Sequence, residues 1–495
     1  MAPRSYGAQL RHLAETFGDG VALTFLPTEG EPRDVSWREL DRRSNQVARL
    51  LQSRGVRQGT FVAIGLRNSP EHYFTTYAVW KLGATPTPIR WDLPEWELER
   101  LLAVIEPSAV VGDLVTNAST VIAAEIEASD SLSDDGLPDA VAEPARAIAT
   151  SGSTGSPKLV VFVDPGYAEE GIDARPDLTD LSSRPTQIVL SPLYHTNGFR
   201  GYFGLLAGQR LIVMERFDAA RAVDAIERYH VNFMVAVPTM LQRIARLPGI
   251  DDRDLSSLEN VLYGAAPLPE WAARKWFQMI PPERFIIQYG GTEQFGRTAC
   301  TGVDRLRRPG TVGRPVGCDI RILAADGTEL PQGEVGEIWL RRHDGLRLTR
   351  YRGAPQAPRT EDDFTTFGDM GHFDAEGYLY VDDRRSDMII SGGANVFPAE
   401  VEAALSSHPD VADVVVVGVQ DPEWGRRVHA IVQLTPAASV DGEDLRGYAR
   451  QRLAPYKVPK GIQIVDALPR TPAGKINRLA VAAAYAEVPD APAAD

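Results

Sequence analysis

From Phe61 onward, short apolar runs rich in Val and Ile alternate with stretches whose apolar residues recur at helical spacing. The runs Phe61–Leu66, Leu159–Val163, Ile188–Ser191, Leu211–Met214, Phe233–Val237 and Phe285–Tyr289 predict strands. Between them, Pro70–Leu82, Ala219–Tyr229 and Pro269–Met279 predict helices. Ahead of them, Trp37–Arg54 predicts a helix opened by the capping box Ser36-x-x-Glu39. Strand and helix alternating at this spacing predict layered α/β architecture.

The rhythm changes past Arg321. Hairpin-like segments appear (Asp319–Leu323, Gly336–Arg341, Gly377–Val381), with turn chemistry such as Asp326-Gly327 between apolar runs. Pro398-Ala-Glu-Val-Glu402 then reads as a helix start, with Pro early and acids in the first turn. Strands near Val414–Val419 and Ala430–Leu434 complete a short α+β stretch. The pattern therefore divides the chain into a large N-terminal domain of layered α/β subdomains, 1–385, and a small α+β C-terminal domain, 386–495. Neither an internal repeat nor a sustained heptad pattern interrupts this order, and low complexity is confined to the tail from Val488.

Length and composition narrow the function. A chain of 495 residues exceeds what one hydrophobic core serves. A net charge of −15 disfavours nucleic acid as a partner, because phosphate backbones need a basic face. It leaves room for an anionic small molecule, since a local basic loop binds phosphate on an acidic protein. No apolar run is long enough to span a bilayer, and Met1–Leu10 lacks a secretory layout. Two cysteines, Cys300 and Cys318, make no disulfide framework, so a reducing cytoplasm is the expected location. The oligomeric state is not legible.

Chemistry enters at Thr150-Ser-Gly-Ser-Thr-Gly-Ser-Pro-Lys158. Gly152 and Gly155 let backbone N–H groups approach phosphate oxygens, Ser151, Ser153, Thr154 and Ser156 add hydroxyl donors, and Lys158 adds positive charge. The alternative is a flexible Gly/Ser linker. The segment is not a Walker loop, because its Lys follows Pro and precedes Leu159. It resembles the phosphate loop of the ANL superfamily of adenylate-forming enzymes, which usually has Gly where this chain has Leu159.

Further motifs follow in the order of that superfamily, across nearly the whole chain. Ser191-Pro-Leu-Tyr-His-Thr-Asn-Gly198 resembles the acyl-pocket segment of its CoA ligases, with His195 as the gating ring. Val261-Leu-Tyr-Gly-Ala-Ala-Pro267 resembles the segment where Gly264, Ala265 and Ala266 leave room for adenine. Tyr289-Gly-Gly-Thr-Glu293 resembles the adenine and metal motif. There Tyr289 is suited to stack on a purine, and Glu293 is a hard oxygen ligand for Mg²⁺. Phe367-Gly-Asp369 matches a motif usually written Thr-Gly-Asp, whose carboxylate takes the ribose hydroxyls. The run Arg384 to Glu402 is a long match that places Arg384 at the nucleotide and the hinge at Ser386. Pro469-Arg-Thr-Pro-Ala-Gly-Lys475 matches the C-terminal catalytic motif.

The resemblance implies an ATP-dependent carboxylic acid:CoA ligase. Acid and ATP give acyl-AMP and pyrophosphate, and CoA then gives the thioester and AMP. Lys475, Glu293, Lys158 and His195 are the implied catalytic residues, with Mg²⁺ at Thr154 and Glu293. Thr150, Ser151, Gly152, Ser153, Thr154, Gly155, Gly290 and Thr292 join the nucleotide set named above. His195, Phe199, Val237 and Gly291 are the implied acyl pocket, suited to an aryl, alicyclic, steroid-like or medium-chain acid. Gly392, Gly393, Trp424, Tyr456, Lys457 and Lys460 are the implied CoA contacts, reached when the small domain rotates about Ser386. Rival readings are an adenylation enzyme loading a carrier protein, a luciferase-like oxidation, a homologue limited to one half-reaction, and a non-catalytic binding protein. Amino-acid adenylation is disfavoured, because such domains usually carry Asp where this chain has His195.

Overall fold

The computed structural model describes residues 3–485 except 115, 117, 152–156, 169–185, 385–386, 392–393, 422–423, 437, 471–475 and 477. While the predicted runs at Phe61 and Leu159 join other sheets, the four at Ile188, Leu211, Phe233 and Phe285 become inner strands of a nine-stranded sheet. From its centre outward run Thr186–Val189, Phe233–Ala236, Asn260–Gly264 and Phe285–Gly290 on one side, and Arg210–Met214 and Val21–Leu26 on the other, all parallel. Antiparallel edge strands flank them. Strands buried on both faces read as continuous apolar runs, so Leu211, Ile212 and Val213 are all fully enclosed.

A second parallel sheet is built from Thr85–Pro88, Phe61–Ile64, Ala109–Val111 and Thr120–Val121. Helix Pro70–Lys81 follows Ser69, whose side chain caps the His72 N–H. Helix Trp37–Ser53 is capped by Ser36 through the Glu39 N–H, as expected. The Glu39 carboxylate, however, reaches Arg33, where the predicted box had it returning to its own cap.

The 319–381 hairpins form one antiparallel sheet of Cys318–Leu323, Gly336–Arg342, Thr365–Phe373 and Leu379–Arg384. From Ile389 the strands belong to another sheet, Ala394–Val396, Ile389–Ser391, Gly425–Leu434 and Val411–Asp421, with Gly461–Val465 added in parallel. That sheet has its own core, including Val401, Leu405, Val416, Ala430 and Leu445. Among the described residues no helix is long and apolar enough to cross a membrane.

Candidate active site

The predicted phosphate segment is flanked by two paired strands. Arg146–Ser151 and Pro157–Phe162 run antiparallel, with Thr150 opposite Lys158 and Ser151 opposite Pro157. Gly152, Ser153, Thr154 and Gly155 lie outside the described residues. The two strands bring their flanks together, and the Thr150 hydroxyl is buried with no hydrogen-bond partner among the described residues. Alternation along Pro157–Phe162 explains Leu159: it is fully enclosed in an apolar cluster with Ala63 and Ile89, while its neighbour Lys158 remains one-fifth exposed. Leu159 is a core residue beside the loop.

Lys158 Nζ donates to Glu293 Oε1 at 3.0 Å. Glu293 sits in the turn after strand Phe285–Gly290, on the far side of the sequence from Lys158. Burial pushes its carboxyl pKa up, but the charge of Lys158 and hydrogen bonds from Lys158 and Tyr351 outweigh that, leaving it below the usual range. An ionised carboxylate held next to the phosphate hairpin has the donor chemistry Mg²⁺ takes, one protein oxygen alongside substrate oxygens. Among the described residues no cluster of three or more His, Cys, Asp or Glu exists to hold a metal by protein ligands alone.

The same turn meets the predicted acyl segment. Thr292 Oγ1 and Thr196 Oγ1 are 2.8 Å apart. Thr196 opens helix Thr196–Leu206, for which His195 is the N-cap residue. The His195 ring lies 4.3 Å from that of Tyr194. Val237 caps the helix Pro238–Ala245 at the end of a neighbouring strand. Gly198 is dictated by space, since a Cβ there would lie 2.2 Å from the Pro192 carbonyl oxygen. Phe199, an implied acyl-pocket residue, also packs a core. Its ring is 1% exposed and packs edge-on to Trp80 and against Tyr202, in an apolar core shared with helix Pro70–Lys81, so its helical phase points inward.

On the nucleotide side, Tyr289 Oη donates to Asp369 Oδ2 at 2.9 Å. Asp369 is opposite Arg384 in the ladder, which brings the predicted ribose and nucleotide residues into register. Gly264 lies against the Gln288 carbonyl, where a Cβ would come within 2.5 Å, and Ala265 and Ala266 are exposed beyond it. Ala265 has φ +71°, a left-handed conformation an L-residue adopts at a cost. Phe367 stacks on Phe295 with ring centroids 5.1 Å apart, and its edge fills the space a Gly291 side chain would need. Gly290 ends the strand opposite Arg297.

Of the predicted CoA residues, Trp424 and Lys460 come together, with Nζ 4.5 Å from the ring centroid. Tyr456 is 45% exposed, while Lys457 is bonded to both oxygens of Glu400 at 2.8 and 2.6 Å. Gly392, Gly393, Ser386 and Lys475 lie outside the described residues. Cys300 and Cys318 are buried free thiols, and burial pushes Cys300 up to about 12. Neither has the character of a nucleophile.

Sequence reading missed three contributors, Thr196, Thr349 and Tyr351. Thr196 lay inside a motif already singled out, beside the more conspicuous His195. Thr349 and Tyr351 reach Glu293 through a strand pairing that no local pattern announces.

Comparison with known proteins places these motifs in a wider set. The chain matches the AMP-binding enzyme family over residues 10–347 and the AMP-binding enzyme C-terminal domain over 400–475. It is 34% identical over 464 residues to a feruloyl-CoA synthase of an Amycolatopsis species, covering 89% of this chain and 92% of that one. It is 32% identical over 480 residues to an indoleacetate–CoA ligase of Aromatoleum aromaticum, covering 90% and 92%. The o-succinylbenzoate CoA synthetase of Bacillus subtilis, solved with its acyl-adenylate intermediate, shares the fold with a TM-score of 0.81 at 27% identity over 97% of this chain and 98% of that one. That synthetase has also been solved with ATP and a magnesium ion.

Proposed function

The chain belongs to the AMP-binding enzyme family, and on that premise we propose that it joins an aryl or similarly bulky carboxylic acid to coenzyme A. It is an AMP-forming acid–thiol ligase, with ATP, Mg²⁺ and CoA as its reactants and cofactor. One observation carries the reading furthest. Glu293 is an ionised, mostly buried carboxylate bonded to Lys158 of the phosphate hairpin, one residue after Thr292, which meets Thr196, and four after Tyr289, which bonds Asp369.

The chemistry suits those parts. A carboxylate is a poor acyl donor until its oxygen is phosphorylated, and displacement of pyrophosphate from ATP supplies that activation. Negative charge grows on phosphoryl oxygens, so the protein contributes mostly position and electrostatics. Lys158 and Lys475 supply fixed positive charge, Asp369 accepts from the ribose, and the exposed Ala265–Ala266 surface receives adenine. Mg²⁺, held by Glu293 and Thr154, would neutralise the triphosphate. We place His195 and Val237 at the acid and Trp424 and Lys460 at CoA, the latter pair offering a ring and a charge to a nucleotide. Rotation of the small domain about Ser386 would exchange Lys475 for the Gly392–Gly393 segment between the two steps. The two buried, unpaired cysteines suit a reducing cytoplasm.

The test is acid-dependent pyrophosphate release from MgATP over a panel of aryl, alicyclic and fatty acids, with and without CoA. Release with an aryl acid, and a thioester of the matching mass once CoA is added, is the expected result. Release with no thioester until an acyl carrier protein is supplied would move the thiol to that partner. No release with any acid, while synthetic acyl-adenylates still gave acyl-CoA, would leave only the second half-reaction.

A further inference from the structure

Glu293 has two carboxylate oxygens, and the structure treats them differently. Oε1 accepts from Lys158 Nζ at 3.0 Å and from Tyr351 Oη at 3.0 Å. Oε2 instead lies beside Gly291 and the Phe367 ring edge; it and that edge come 2.8 and 2.5 Å from where a Cβ at 291 would stand. Lys158 Nζ also sits 3.9 Å from the centroid of the Tyr351 ring. Tyr351 therefore touches both charged groups of the site, one through its hydroxyl and one through its ring face.

Its placement is rigid. Strand Thr349–Arg352 is hydrogen-bonded to the outgoing strand of the phosphate hairpin, with Tyr351 opposite Val160. Two residues earlier on the same face, Thr349 Oγ1 donates to the Glu293 backbone carbonyl at 2.6 Å. One short strand thus fixes Glu293 by main chain and side chain together, and ties it to the hairpin bearing Lys158.

Lys158 cannot serve Glu293 and a triphosphate equally. Once Lys158 turns to phosphate, Oε1 loses its cationic partner, and an anchor that stays behind is needed to keep the carboxylate in place. We infer that Tyr351 is that anchor: a positioning residue that holds Glu293 through Oε1 and so keeps the carboxylate in place for the divalent cation. The inference rests on the reading of Glu293 as the Mg²⁺-binding carboxylate. Nothing in the chemistry requires Tyr351 to touch ATP or the acid.

The test compares ATP affinity by calorimetry in Mg²⁺ and in excess EDTA, for the full chain and for Tyr351→Phe. The Phe variant keeps the ring under Lys158 and removes only the hydroxyl. Its ATP affinity in Mg²⁺ should fall by about tenfold, the scale of one hydrogen bond to a charged group, while its affinity in EDTA stays within about twofold. In a Glu293→Gln background the same substitution should have no further effect on the Mg²⁺ value, because its target is gone. Equal losses with and without Mg²⁺, no loss in either, or an undiminished effect beside Glu293→Gln would each overturn the inference. Should Tyr351→Phe not fold, Thr349→Val carries the same comparison through the main-chain anchor, and an unchanged Mg²⁺ advantage there overturns it. Absence of any Mg²⁺ advantage in the unsubstituted chain would instead overturn the reading of Glu293 itself, and this inference with it.

Discussion

His72 is fully buried on helix Pro70–Lys81, with Nδ1 2.6 Å from Tyr202 Oη and with Tyr73 and Tyr77 on the same helix. Burial pushes its pKa down to about 4 from 6.5, because the imidazolium has no water there. Above pH 6.5 the ring is neutral folded or unfolded. Between pH 6.5 and 4 the unfolded chain binds the proton and the folded one does not, so stability falls as pH falls. The loss expected from this group is about 3 kcal/mol. His72→Gln should remove that share, so the difference in urea midpoint between pH 7 and pH 4 should shrink relative to the unsubstituted protein. Equal differences would show that acid sensitivity comes from carboxylates alone. His72 carried no signal in the sequence, whereas Lys158 and Glu293 did, since both stand in motifs made of glycine and hydroxyls. Residue chemistry is legible where neighbours share a task. Phe199 illustrates the limit, because an aromatic residue in a pocket motif and one in a core look alike until helix phase is known.

Helix Thr196–Leu206 begins in a turn so tight that only glycine fits at 198, against the Pro192 carbonyl. The turn sets where His195 and Thr196 stand relative to Thr292. Gly198→Ala must push the Ser191–His195 turn away from its seat, because the obstacle is backbone. The expected outcome is a loss of acid-dependent pyrophosphate release of about 10²-fold, the scale of an ångström-sized misplacement, with ATP affinity within about twofold. An equal loss in ATP affinity would mean that the turn supports the nucleotide side as well. At this scale much of the fold was readable: four inner strands of the large sheet stand where Val and Ile runs predict them, and Asp326-Gly327 does sit at a turn. Two more inner strands, Val21–Leu26 and Asn260–Gly264, carried no strand prediction. Strand order was not readable. Thr349–Arg352 pairs with Pro157–Phe162 across almost two hundred residues, and nothing in either four- to six-residue stretch names its partner.

Across the whole molecule, a guanidinium of the large N-terminal part reaches the backbone of the small C-terminal one. Arg246, after helix Pro238–Ala245, lies 4.4 Å from the Trp271 ring centroid and donates to the carbonyls of Val411, at 2.7 Å, and Ala412. Asp413, next in the chain, accepts from Arg470 at 2.8 Å. Arg470 stands five residues before Lys475, in the segment proposed to deliver the adenylation lysine. A path of contacts therefore runs from the C-terminal end of helix Pro238–Ala245 to the base of that segment. Arg246 holds its carbonyls through two hydrogen bonds to a charged group, so its loss should release the small domain. Arg246→Ala should slow acyl-adenylate formation about tenfold and leave thioester formation from a supplied acyl-adenylate intact or faster. Lys475→Ala should show the same asymmetry more strongly, about 10²–10³-fold on the first step, the cost of one charge-stabilising group. The decisive comparison is the double variant. If Arg246 acts only by seating Lys475, Arg246→Ala adds nothing once the lysine is gone, and the two losses fail to sum. Losses that sum, or a second half-reaction that falls with the first, would show that Arg246 stabilises the small domain without favouring either orientation.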